Sequence, residues 1–156
     1  MDEIAIVPSR RTRDPEDVDL SWTIGGFTFD IPILASAMDG VVSPETAIAL
    51  GKLGGLGVLN LEGIQVRYED PSAQLDRIAS LPPEKATAGL QEIYQESIKP
   101  ELIAERIKEI KQSGVVAAGS FTPQRVERYV EVALDAGLDI LVIQGTVVSA
   151  EHVSSS

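Results

Sequence analysis

The chain has 156 residues, 44% hydrophobic and 24% charged, which is enough apolar material for one domain and too little length for two. Its 13 Lys and Arg stand against 24 Asp and Glu, and the resulting net charge of −11 opposes binding to a phosphate backbone, so nucleic acid is set aside as a partner. There is no cysteine, hence no disulfide, no thiolate metal site and no thiol nucleophile in these residues. No apolar run approaches the roughly 20 residues of a membrane span, and Met1-Asp2-Glu3 lacks the basic start of a secretory signal, so a cytoplasmic location without membrane contact is expected.

Near the start, Arg10-Arg11-Thr12-Arg13 is followed at once by Asp14, Glu16, Asp17 and Asp19, a pattern that favours local ion pairing over a phosphate site. The apolar run from Ile31 to Met38 predicts a parallel strand covered on both faces, with Pro32 tolerated only near its beginning. Ser43-Pro44 predicts a capped helix start, the helix running to about Leu53. Gly54-Gly55 ends it, and residues 56 to 60 form a second strand. Between Glu62 and Lys99 the pattern loosens into amphipathic stretches at Leu75 and Ile78 and at Leu90 and Ile93. This predicts a short helical insertion, too polar to hold a core of its own. Pro100 opens a helix with Ile103, Ile107 and Ile110 on one face, followed by a third strand at Val115 to Ala118. Thr122-Pro123 opens another, with Val126, Val130, Ala133 and Leu134 at helical spacing, and Leu138 to Ile143 is a fourth strand. Residues from Glu151 onward read as the opening of one more helix.

Strand and helix therefore alternate, which defines an α/β chain with a parallel sheet, either open and doubly wound or part of a closed barrel. An eight-stranded barrel takes about 250 residues, so about four strand-helix units correspond to the first half of one, and the chain is expected to be a fragment. Ligands in such sheets bind at the carboxyl ends of the strands. The stretches to inspect are thus Ser36 to Val41, Asn60 to Gly63, Gly119 to Phe121 and Gln144 to Val148.

Within them, Ser36 and Met38 could offer a hydroxyl and a thioether to a planar ligand, or could serve only a strand bond and core filling. Asp39 before Gly40 is an acid or base candidate, or a residue that satisfies backbone donors. Gly54-Gly55-Leu56-Gly57 sits between a helix and a strand, the reverse of a dinucleotide-binding order. His152, the single histidine, cannot anchor a standard zinc site alone, and no metal site is expected.

With Ala35-Ser36-Ala37-Met38-Asp39-Gly40-Val41 followed by Gly54-Gly55-Leu56-Gly57-Val58, the chain resembles the IMP dehydrogenase and GMP reductase family. Ile6-Val7-Pro8 and Asp17-Val18-Asp19-Leu20-Ser21 resemble that family's N-terminal segment. Pro8 to Asp14, Asn60-Leu61-Glu62-Gly63, Ile98 to Leu102 and Gln144-Gly145-Thr146-Val147-Val148-Ser149 are most similar to its IMP dehydrogenase-related branch without CBS regulatory domains.

The resemblance implies a (β/α)8 TIM barrel, residues 1–156 being its N-terminal half, and a homo-oligomer, a tetramer in the family. It implies an NAD-dependent oxidoreductase that oxidises IMP at C2 through a cysteine-bound intermediate, hydrolysed to XMP in guanine nucleotide synthesis. By position, Ser36 and Met38 match the substrate-binding strand end. Ser120 and Phe121 loosely match the place of the cofactor's adenosine end, where Phe121 could stack on a base. Gln144, Gly145 and Thr146 match the cofactor-side motif, with Gln144 in place of the family's aspartate. Residues 62–99 lie where longer members carry CBS domains. The family's cysteine, glycine-rich phosphate loops and flap lie beyond the fourth strand, so no catalytic residue is assigned and the chain alone is expected to be inert. The alternatives are a GMP reductase-like enzyme and a noncatalytic half-barrel that binds a nucleotide or a protein partner.

Overall fold

The computed structural model describes residues 14–145. After a 3-10 turn at Pro15–Asp17, the chain forms an antiparallel hairpin of β1 (Trp22–Ile24) and β2 (Phe27–Phe29), with Trp22 opposite Phe29 and Ile24 opposite Phe27. Gly25 and Gly26, at φ +58° and +88°, supply the two left-handed positions that a two-residue hairpin turn requires. This hairpin is absent from the expectations above, although two glycines between aromatic-containing triplets are its ordinary signature.

The remaining elements are β3 (Leu34–Ala35), α1 (Pro44–Lys52), β4 (Leu56–Asn60), α2 (Pro71–Ala79), α3 (Pro83–Ile93), α4 (Pro100–Gln112), β5 (Ala118–Phe121), α5 (Pro123–Asp135) and β6 (Ile140–Ile143). β3 to β6 form one sheet in chain order, and every neighbouring pair is parallel. All five α-helices begin on a proline, whose fixed φ suits the first turn and whose missing N–H would have had no helical partner there. At α1 the cap is reciprocal: Ser43 Oγ accepts from Thr46 N at 3.2 Å while Thr46 Oγ1 accepts from Ser43 N at 2.7 Å. The helix ends into Gly54 at φ +84°, where a Cβ would lie 2.6 Å from Asp30 Cβ.

Three strand boundaries differ from the sequence expectations. The first strand is confined to Leu34–Ala35 because the chain turns on both sides: Ile33 N bonds Ile31 O at 2.9 Å, and Met38 N bonds Ser36 O at 2.8 Å. The third begins at Ala118 rather than Val115, since α4 closes through Gly114 at φ +82° and Val115 to Ala117 lead into the sheet. The fourth begins at Ile140, because Leu138 N still bonds Ala133 O at the end of α5. The β-branched valines drew the expectation toward residues 115 and 116. The paired strand is instead Ala-Gly-Ser-Phe, and a Cβ on Gly119 would stand 2.5 Å from Leu61 Cδ1.

Side chains alternate across the sheet and build two separate cores. On one face Leu59, Leu61, Ala117 and Phe121 meet Ala47 of α1, the isoleucines 103, 107 and 110 of α4, and Tyr129 and Ala133 of α5. Burial of each isoleucine there contributes about 2 kcal/mol. On the opposite face, hereafter the open face, Leu56, Val58 and Ala118 are covered by Phe29, Trp22 and Phe27 of the hairpin. Trp22 stacks on Phe29 with ring centroids 4.7 Å apart, and its Nε1 donates to Ile31 O at 2.8 Å.

The amphipathic stretches of residues 62–99 form α2 and α3, and α2 contributes no buried side chain. The segment is fastened by Ile93, which is buried, and by Tyr68, whose hydroxyl donates to Ile93 O at 2.9 Å. No helix of the described residues is long and apolar enough to cross a membrane.

Candidate functional site at the carboxyl ends of the strands

Along the open face the character of the side chains changes from one end of the strands to the other. Leu56 and Val58 of β4 are followed by Asn60, and Ala118 of β5 by Ser120. Ile140 and Val142 of β6 are followed by Gln144. Register makes these a tier: Asn60 pairs with Ser120, and Ser120 pairs with Val142, two residues before Gln144. Ser120 Oγ lies 3.5 Å from Gln144 Oε1, at the long end of hydrogen-bonding range. Ser36, one residue past β3, lines with Ser120 and Gln144 a cleft of about 150 Å³ floored by Val58 and Val142. The tier is uncharged, so it offers hydrogen bonds without the desolvation cost of an ion.

Above it, a cleft of about 250 Å³ is walled by Asn60, Ser120, Glu62, Thr122, Arg67 and Tyr94. Its rim is held by Asp39. Asn60 Nδ2 donates to Asp39 Oδ1 at 3.1 Å, Ile64 N donates to Oδ2 at 2.9 Å, and the Tyr94 hydroxyl also donates to Oδ2. Gly63 permits this approach: a Cβ there would overlap Asp39 Oδ1 and lie 2.7 Å from Asn60 Nδ2. Asp39 thus accepts from one backbone donor, Ile64 N, and from two side chains, Asn60 and Tyr94, and all three come from outside its own turn, whose backbone it was expected to satisfy.

Tyr94 is half exposed, and burial, followed by the bond to Asp39, raises its phenol above the ordinary value of 10.0. Arg67 packs its guanidinium 5.1 Å from the Tyr94 ring centroid. Its Nε donates to Glu62 O at 2.9 Å and one terminal nitrogen to the carbonyls of Tyr94 and Glu96. Glu62 in turn accepts from Thr122 N at the start of α5.

The sequence-predicted residues divide accordingly. Ser36, Ser120 and Gln144 meet at one cleft, while Gly145, which follows Gln144 in the chain, does not line it and lies against Pro123. Met38 is 52% exposed and belongs to a turn rather than to β3, so strand alternation does not place it beside Ser36. Phe121 is 1% exposed and stacks on Tyr129 in the helix-side core, centroids 6.1 Å apart, which leaves its ring no free face for a base. Thr146, His152 and the Arg10 to Arg13 cluster lie outside the described residues. Sequence reasoning pointed to the stretch containing Asn60 and Glu62 but missed Arg67 and Tyr94. They come from the loosely patterned segment 62–99, where the only signal was one of three tyrosines at a helix end.

A parallel sheet with its polar side chains gathered at the strands' carboxyl ends places the chain in the α/β class, in which that end of the sheet is the usual place for ligands. Comparison with known proteins gives the class a family: residues 1–155 match the IMP dehydrogenase / GMP reductase domain, and the chain belongs to that family. It is 44% identical over 160 residues to an uncharacterized oxidoreductase of Mycobacterium tuberculosis, covering 99% of this chain and 43% of that protein. It thus spans less than half the length of that relative. A 59-residue stretch is 44% identical to an inosine-5′-monophosphate dehydrogenase of Methanocaldococcus jannaschii, covering 38% of this chain and 12% of that enzyme. The crystal structure of an IMP dehydrogenase/GMP reductase-like protein from Corynebacterium glutamicum superposes with a TM-score of 0.90 at 40% identity, covering 99% of this chain and 43% of that one.

Proposed function

We infer that the open-face rim of this chain forms part of the nucleotide site of an IMP dehydrogenase-like oxidoreductase with a (β/α)8 barrel. In that reading IMP, NAD+ and water give XMP, NADH and a proton. The observation that carries the inference is the uncharged tier of Ser36, Asn60, Ser120 and Gln144 at the ends of four consecutive parallel strands, in a chain of this family. Hydroxyls and carboxamides suit the edge of a purine, the ribose hydroxyls and a carboxamide, all of them neutral groups with both donors and acceptors. Ser36 is assigned to the substrate, while Met38, at the exposed turn that follows, is not held next to it by the strand.

The residues fit one end of NAD and not the other. Ser120 and Gln144 present a hydroxyl and an amide where a ribose or nicotinamide carboxamide could bond, with Gly145 and Thr146 continuing the same segment. Phe121, enclosed in the core, does not fit the stacking role assigned to the adenosine end. NAD, when bound, supplies the hydride acceptor. This chain's residues bind and orient, and the tier's carboxamides need no proton exchange to do so. Family membership also carries the expectation of a homo-oligomer.

The chain has no cysteine, so a thiolate addition to the purine lies outside what these 156 residues can perform. The same fact favours, as a second reading for the chain by itself, nucleotide binding without turnover. Calorimetric titration with IMP, alongside NADH absorbance, tests both. Binding without NADH formation is expected of the 156-residue chain, and absence of IMP binding by folded protein would contradict the rim assignment.

A further inference from the structure

Next to the rim cleft, and sharing Arg67 and Tyr94 with it, lies a second cleft of about 260 Å³ between the α3–α4 connection and α5. Arg125 and Arg128 line it from α5, and their three-residue spacing puts them on one helix face. The charges around it are poorly compensated. Arg67 is held by main-chain carbonyls and meets no carboxylate among the described residues. Arg128 lies 5.2 Å from the Tyr129 ring centroid, and no carboxylate of the described residues pairs with it. Arg125 reaches Glu62 only at 4.0 Å, while the other Glu62 oxygen is taken by Thr122 N. Glu96, the one acid on the wall, pairs with Lys99 at 3.7 Å.

Three guanidinium groups around one cleft repel each other, and this is a chain whose acids outnumber its bases by 24 to 13. Such an arrangement is favourable when a fixed anion completes it, and arginine's planar fork matches phosphate oxygens two at a time. Arg67 and Tyr94 line both clefts, so the two are immediate neighbours and a ligand extended past these two side chains would touch both. We propose that the Arg67–Arg125–Arg128 cleft binds the diphosphate of a nucleotide whose nucleoside lies in the rim cleft. The proposal rests on the reading of the rim as a nucleotide site.

The test compares calorimetric titrations of ADP, adenosine and inorganic phosphate into the wild-type protein and into the Arg125→Gln/Arg128→Gln double variant. Both arginines are exposed, so the variant is expected to fold, which circular dichroism checks. ADP should bind wild type at least about tenfold more tightly than adenosine, an advantage that disappears in the double variant and shrinks with added salt. Arg125→Lys/Arg128→Lys should keep part of it, because the charge remains while the fork is lost. If the glutamine variant does not fold, the lysine variant and the salt series on wild type decide.

Equal affinities for ADP and adenosine would overturn the cleft and leave the rim reading standing. An ADP advantage that survives in the glutamine variant also overturns the cleft assignment. Failure of both ADP and adenosine to bind overturns the cleft, and the rim is then judged separately by whether IMP binds. Inorganic phosphate binding without ADP binding overturns the nucleotide assignment in favour of a free-anion site.

Discussion

The open face of the sheet has two ends built from opposite chemistry. At the amino ends of the strands, Leu56, Val58 and Ala118 are sealed by the aromatic hairpin. At the carboxyl ends, four strands finish in uncharged polar side chains beneath an open cleft. One end contributes hydrophobic stability and has nothing to offer a polar ligand. The other spends little on packing and lines a cleft with hydroxyls and carboxamides. The division teaches that substitutions in the two ends should separate folding from binding.

The largest expected effect is at the sealed end. Phe29→Ala removes a ring that is 5% exposed and stacked on Trp22, and should cost about 3 kcal/mol in urea unfolding. IMP affinity, measured where the variant is still folded, should be unchanged. A loss of affinity without loss of stability would break the comparison.

Gly63→Ala comes next. Its methyl would displace Asp39 from Asn60 and Ile64, with a cost of about 2 kcal/mol, and here affinity should fall together with stability. Ser120→Ala removes a buried hydroxyl from the tier and should weaken nucleotide binding by about 1 kcal/mol in calorimetry while moving the unfolding midpoint little.

The smallest effect is that of Tyr94→Phe. Because the folded state raises the Tyr94 pKa above 10.0, its neutral form is the one that folding favours. The associated stability is complete below pH 10 and is lost as pH rises through the folded-state value. The phenylalanine variant should therefore be slightly less stable at neutral pH and lose less on going to strongly alkaline conditions. Parallel urea midpoints against pH for both proteins would contradict this.

Much of this division was legible in the residues. The helices predicted to open at Pro44, Pro100 and Pro123 start on a proline and are followed by a glycine, signals set by local backbone chemistry, and α1, α4 and α5 follow them closely. Strand positions were less legible because pairing, not local preference, fixes them. Val115 and Val116 look more like a strand than Ala118-Gly119-Ser120, where Leu61 pressing on the strand leaves room for no side chain at Gly119. Phe121 was misjudged for a similar reason: strand alternation sends it to the helix side while Ser120, its neighbour, faces the rim. Tyr94 reaches the site through its distant bond to Asp39, and Arg67 through bonds to the carbonyls of Tyr94 and Glu96 at the far end of the same segment, and no sequence periodicity reports such bonds.

The most direct test of the central claim is chemical-shift mapping of IMP on the isotope-labelled chain. The account predicts changes concentrated at Ser36 to Asp39, Asn60, Ser120 and Gln144, with the Trp22 and Phe29 signals undisturbed. Changes centred on the hairpin, or none in a well-folded spectrum at saturating IMP, would contradict it.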